Sequence, residues 1–171
     1  MKFLKRIGKG ITKANNLAAR AASLMIFPLI LVLVFEIFMR FVLNKPTIYS
    51  YDLSWMMYAA FVFLGSGYVL AQNMHVKADF LYNKMRRRGK IIVNALCYPA
   101  FFFLSMGGFL YSTFWLAVNS WKYKEAGFWT SWDPPLWPLK AMLFVSFILL
   151  TLQGTVKFVE FLRQPKDGDG A

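Results

Sequence analysis

Glu36 and Arg40 are the only oppositely charged pair set within an apolar stretch of this sequence. Four residues apart, they share one face of a helix, and a charge placed inside a membrane is a functional candidate by default. One reading is that they neutralise each other while Arg40 reaches outward to the interface; the others are a direct ion or proton role, or contact with another subunit. Asp52, across a short connection, is a second candidate partner for Arg40. A single acid does not make a relay. Gln153, in the second half of the last apolar stretch, needs a hydrogen-bond partner and is expected to face another protein. One His (His75) and one Cys (Cys97) exclude a disulfide framework, a CxxC redox motif, a thiolate metal cluster and a two-haem cytochrome. There is no GxSxG, no HExxH, no phosphate-binding loop and no convergent pair of acids. No catalytic, cofactor-binding or metal-ligating residue is expected, and the chain does not read as an enzyme.

The elements that must position these residues are apolar and long. Of 171 residues, 58% are apolar, 19% aromatic and 16% charged, whereas a soluble domain carries about 25% charged residues. Four stretches approach the roughly 20 residues needed to cross a bilayer core: 24–43, 53–71, 91–118 and 136–156. In lipid each must be a helix, because an open strand leaves backbone groups unpaired. The third is too long for one straight crossing, so it must tilt, kink at Pro99 or emerge. The fold class expected is an all-α integral membrane protein with four transmembrane helices in a single membrane domain. Residues 162–171 read as a flexible tail.

Charge placement sets the orientation. The net charge is +12, which in a soluble domain points to nucleic acid; so oily a chain excludes that partner. Basic residues cluster before the first stretch (Lys5 and Arg6 among them), between the second and third (Arg86, Arg87, Arg88) and after the fourth, while the opposite connections hold only Lys45, Lys122 and Lys124. The positive-inside rule puts both termini and the middle connection in the cytoplasm. Within residues 2–20, Leu4, Ile7, Ile11, Ala14 and Ala18 fall at helical spacing with most basic residues opposite. That pattern predicts an interfacial amphipathic helix held to anionic lipid; the plainer alternative is a solvated basic leader that only sets topology. Trp115, Trp121, Trp129, Trp132 and Trp137 gather at the other side, around a Pro-rich connection carrying Asp133. They read either as an aromatic belt at the membrane boundary or as a stiff docking surface for an extracytoplasmic partner.

The order of motifs resembles a known family. Phe35-Glu-Ile-Phe-Met-Arg-Phe-Val-Leu-Asn44, Ser54-Trp55, Phe63-Leu-Gly-Ser-Gly-Tyr68, His75-Val-Lys-Ala-Asp79 with the basic cluster after it, Trp132-Asp-Pro-Pro-Leu-Trp-Pro138 and Leu152-Gln153 together look like the small membrane subunit of tripartite ATP-independent periplasmic (TRAP) transporters, the DctQ-like family. The resemblance spans roughly Ala21 to Phe161. Asp52 departs from it, since the family more often has Glu slightly later. The resemblance implies a non-catalytic bacterial inner-membrane scaffold that binds a larger elevator-type membrane subunit. That partner would carry the sodium and solute sites, with an organic acid delivered by a periplasmic binding protein. Residues alone leave one alternative, a self-assembling small channel or orphan membrane protein, although no stretch shows the continuous polar stripe of a pore.

Overall fold

The computed structural model describes residues 2–72, 98–127 and 130–163. Among these are five helices: α1 (Lys2–Leu24), α2 (Ile26–Phe41), α3 (Ser50–Ala71), α4 (Tyr98–Lys122) and α5 (Trp137–Arg163). Four segments are long and apolar enough to cross a membrane: Arg6–Phe41, Ser50–Ala71, Ala100–Lys122 and Trp137–Glu160. The chain is an all-helical membrane protein.

α1 and α2 follow one another with a single joint at Met25, which keeps a right-handed helical conformation. Pro28 explains the joint: its ring nitrogen has no hydrogen to give to the carbonyl of Leu24. Locally, the Met25 N–H donates to Ala22 O at 3.0 Å, a tightened turn, and the regular ladder resumes with Leu29 N–H to Met25 O at 3.1 Å. Pro99 is helical, next to the first described residue of α4. Residues 91–97 of the expected third span lie outside the described residues.

α3 and α5 form the central pair. α2 flanks α3, α4 flanks α5, and α1 lies along both central helices. Aromatic pairs close the antiparallel seam between α4 and α5: Phe109 stacks on Phe147 with ring centroids 5.0 Å apart, and Trp121 meets Trp137 edge-on at 4.6 Å. At the opposite end the Phe102 ring lies over Gly154, leaving no space for a Cβ there.

Polarity runs inside out. Buried side chains include Asn15, Glu36, Ser50, Asp52, Thr113, Ser120, Ser146 and Gln153, whereas Phe27, Leu31, Val34, Ile37 and Phe41 of α2 are exposed. In water this arrangement would be costly; in hydrocarbon it is the favourable one, since polar groups must find partners within the protein. Hydroxyls in the helices do so locally: Thr113 donates to Phe109 O (2.6 Å), Ser146 to Met142 O (2.8 Å) and Thr151 to Phe147 O (2.7 Å).

Candidate functional site

Glu36 is the one buried residue of α2. Its Oε1 accepts from Arg40 Nη2 at 2.7 Å and from Arg40 Nε at 3.1 Å, a two-pronged arrangement that a guanidinium makes well. Oε2 accepts the backbone N–H of Thr47 at 3.1 Å and also the Thr47 hydroxyl, which is shared with Ser50. The chain turns back after α2 because Asn44 takes a left-handed backbone (φ 50°), a conformation that Asn tolerates. Lys45 N–H then reaches Met39 O at 2.9 Å, and Thr47 comes over the carboxylate. The two partners differ in cover: the side chain is 12% exposed for Glu36 and 56% for Arg40. Both carboxylate oxygens are thus occupied by this chain's own donors.

Asp52 does not join that cluster. It is buried at the start of α3 and accepts a hydrogen bond from the Thr130 hydroxyl, which fastens the Trp-rich connection to the end of α3. Thr130 Oγ1 in turn receives the Trp132 N–H at 3.3 Å, and Trp132 meets Tyr49 edge-on at 6.4 Å. Thr130→Val would leave the Asp52 carboxylate without this donor, at an expected cost of about 1–3 kcal/mol. Limited proteolysis checks it: cleavage between residues 125 and 136 should accelerate in the variant. An unchanged rate would mean that the prolines alone hold the connection.

The rest of this connection is a short hairpin. Gly127 N–H donates to Pro134 O at 2.8 Å and Leu136 N–H to Glu125 O at 3.0 Å. Gly127 is needed for the approach, because a Cβ there would lie 2.9 Å from Pro134 Cδ. Glu125 is ion-paired with Lys140 of α5, and the hydrogen bond from that ammonium holds the Glu125 carboxyl below its ordinary value. A depressed carboxylate stabilises the fold above its unfolded pKa and loses that contribution as pH falls through the folded value. The melting difference between wild type and Lys140→Met is therefore expected at neutral pH, small because Glu125 is half-exposed, and should close on acidification. A difference independent of pH would assign the role of Lys140 to packing of its stem.

A second polar cluster sits towards the other ends of α3 and α5. Asn15 Nδ2 donates to Gln153 Oε1 at 3.1 Å, to Ile11 O at 3.1 Å and to Leu149 O at 3.4 Å, and Thr12 lies 3.4 Å from the Gln153 amide. Asn15 Oδ1 is buried without a hydrogen-bond partner and rests against Gly67 of α3, where no Cβ fits. Gln153 is 1% exposed: what covers it is the chain's own N-terminal helix. Consequently α1 turns Asn15 and Ala22 inward, while Ile7, Leu17 and Leu24 are exposed. Arg6, Lys9, Lys13 and Arg20 are also exposed, on the side of the helix that carries Leu17 and Leu24.

Trp132 and Trp137 are partly exposed near the start of α5, and Asp133 takes a left-handed backbone (φ 47°) between them. Trp129, Arg86, Arg87, Arg88 and the side chain of Lys5 lie outside the described residues. Among the described residues no group of three or more His, Cys, Asp or Glu is placed to hold a metal ion. Sequence reasoning missed Thr47, Thr130 and Asn15. The first two are neutral and act from connections; the Asn15-Asn16 pair, uncommon in a helix bound for lipid, was the available signal for the third.

No curated protein matches this chain. The family model described as "Tripartite ATP-independent periplasmic transporters, DctQ component" matches residues 29–164, a segment holding Glu36, Arg40, Asp52 and Gln153.

Proposed function

Since the chain belongs to the DctQ-component family of tripartite ATP-independent periplasmic transporters, and so is a non-catalytic membrane subunit of a transport system, we propose that it is the static scaffold for a larger elevator-type membrane subunit. The transporter would take up an organic acid, driven by sodium and delivered by a periplasmic binding protein, with the sodium and solute sites in the larger subunit. Both termini would face the cytoplasm of a bacterial inner membrane, with the basic face of α1 over anionic headgroups.

One observation carries the scaffold reading. The ion pair of α2 is closed on itself, with Glu36 held by Arg40 and Thr47, while most of α2 presents bare hydrocarbon. Such a surface is suited to lipid and to helix packing, not to carrying a polar solute. A mild-detergent pull-down from the native membrane tests it. A large multi-span protein recovered in fixed ratio supports the scaffold; recovery of this chain alone as a closed oligomer overturns it in favour of a channel.

The exposed Trp132 and neighbouring Asp133 make a stiff surface at the extracytoplasmic end, where little entropy is lost on docking. Trp132→Ala with Asp133→Asn, which keeps a residue tolerant of the left-handed backbone, is expected to raise several-fold the concentration of binding protein needed for half-maximal uptake. The membrane complex should stay intact. An unchanged concentration dependence would reduce the connection to an aromatic belt.

A further inference from the structure

A groove of about 480 Å³ opens beside α4 where the Trp-rich connection enters α5. Tyr111, Ser112 and Trp115 line its lower part, and Asn119, Glu125 and Lys140 its mouth. One turn below Ser112, Gly108 has open space where a side chain would stand, so the floor continues down the helix. The paired rings of Trp121 and Trp137 mark the level of the membrane boundary. Trp115 lies six residues further into α4, roughly 9 Å deeper. The lower part is therefore at acyl-chain depth and the mouth at headgroup depth, provided that α4 and α5 cross the bilayer as read above. Among the described residues none covers this face at Tyr111, which is 71% exposed.

The mouth offers one anion and one cation side by side. It is neutral overall, so a net-anionic headgroup would gain Lys140 and meet repulsion from Glu125. A zwitterion satisfies both. The attachment points agree: Lys140 belongs to the first turn of α5, while Glu125 lies in the connection outside it. The cation is the more deeply set of the two. In a glycerophospholipid with an amine headgroup, phosphate is the inner charge and ammonium the outer one. A primary ammonium can also donate hydrogen bonds to a carboxylate, which a quaternary one cannot.

We propose that this groove is a binding site for a phosphatidylethanolamine-type lipid, with its ammonium on Glu125, its phosphate on Lys140 and one acyl chain along Tyr111, Ser112 and Trp115.

The test uses the full chain purified with the membrane proteins that accompany it, stripped of lipid and titrated with phosphatidylethanolamine, phosphatidylcholine or phosphatidylglycerol under native mass spectrometry. One phosphatidylethanolamine per chain should be retained at about tenfold lower concentration than either competitor, as charge-assisted hydrogen bonds allow. The double variant Glu125→Lys with Lys140→Glu preserves the ion pair but reverses its order, and should erase the preference. Gly108→Leu, directed into open space, should weaken retention of phosphatidylethanolamine without lowering the melting temperature. Equal retention of all three lipids, or a preference that survives both variants, overturns the proposal. So does a photocrosslinker at Tyr111 that captures polypeptide instead of lipid, which would make the groove a protein interface.

Discussion

Arg40→Ala is expected to destabilise the protein more than Glu36→Gln, by about 3 kcal/mol against about 1 kcal/mol. The asymmetry follows from burial. Removing the guanidinium leaves a carboxylate that is largely enclosed between α2 and the turn after it, with neutral donors around Thr47 and Ser50 in place of a charge. Removing the charge of Glu36 leaves an Arg that is more than half exposed, one residue from the end of α2, able to bend toward the interface and regain water. Gln also keeps an oxygen for the Thr47 N–H. The double variant Glu36→Gln with Arg40→Ala should then be more stable than Arg40→Ala alone, because it withdraws the stranded charge. Melting of the detergent-purified complex reads all four states of this cycle. Losses that simply add would mean that the two residues do not depend on one another, and the ion pair would carry no structural weight.

That pair was legible in the sequence because it obeys a rule internal to one helix: positions i and i+4 meet whatever surrounds them. The four spans were legible for a related reason, since length and apolarity are set by bilayer thickness rather than by packing. What could not be read are contacts made by the turns and connections. Thr47 reaches Glu36 only because Asn44 reverses the chain, and Thr130 reaches Asp52 from 78 positions away. Neither hydroxyl stands out among the other Ser and Thr residues. The face of α1 that meets the protein was not legible for a more general reason. Helical periodicity puts the apolar ridge Leu4, Ile7, Ile11, Ala14 and Ala18 on one side and most basic residues opposite, a pattern that speaks of lipid and not of helix partners. Which residues a neighbouring helix covers is a tertiary matter: Asn15 and Ala22 turn inward, Asn15 to Gln153, while Ile7 and Leu17 stay outside. Gln153 likewise needed no second protein, because a partner was waiting 138 residues upstream.

Gly67→Ala provides the sharpest test of how α1 is seated. In an exposed helix interior, replacing Gly by Ala stabilises by about 1 kcal/mol through helix propensity. Here the added methyl would run into Asn15 Oδ1, an atom with little freedom to yield because the same amide is tied to Gln153 and to two backbone carbonyls. Overpacking of this kind costs about 1–3 kcal/mol, so the net effect should be a lower melting temperature. Asn15→Ala removes the obstruction, at the expense of two interhelical hydrogen bonds, each worth about 0.6 kcal/mol in a membrane. In that background Gly67→Ala should change sign, from destabilising to neutral or stabilising, since only the propensity gain remains. A methyl that lowers stability with Asn15 present and raises it with Asn15 gone cannot be explained by helix propensity or by lipid contact alone; it requires α1 to be seated on α3. A Gly67→Ala variant that is stabilised in both backgrounds would show instead that α1 lies away from α3, along the membrane surface, with Gln153 left for another partner.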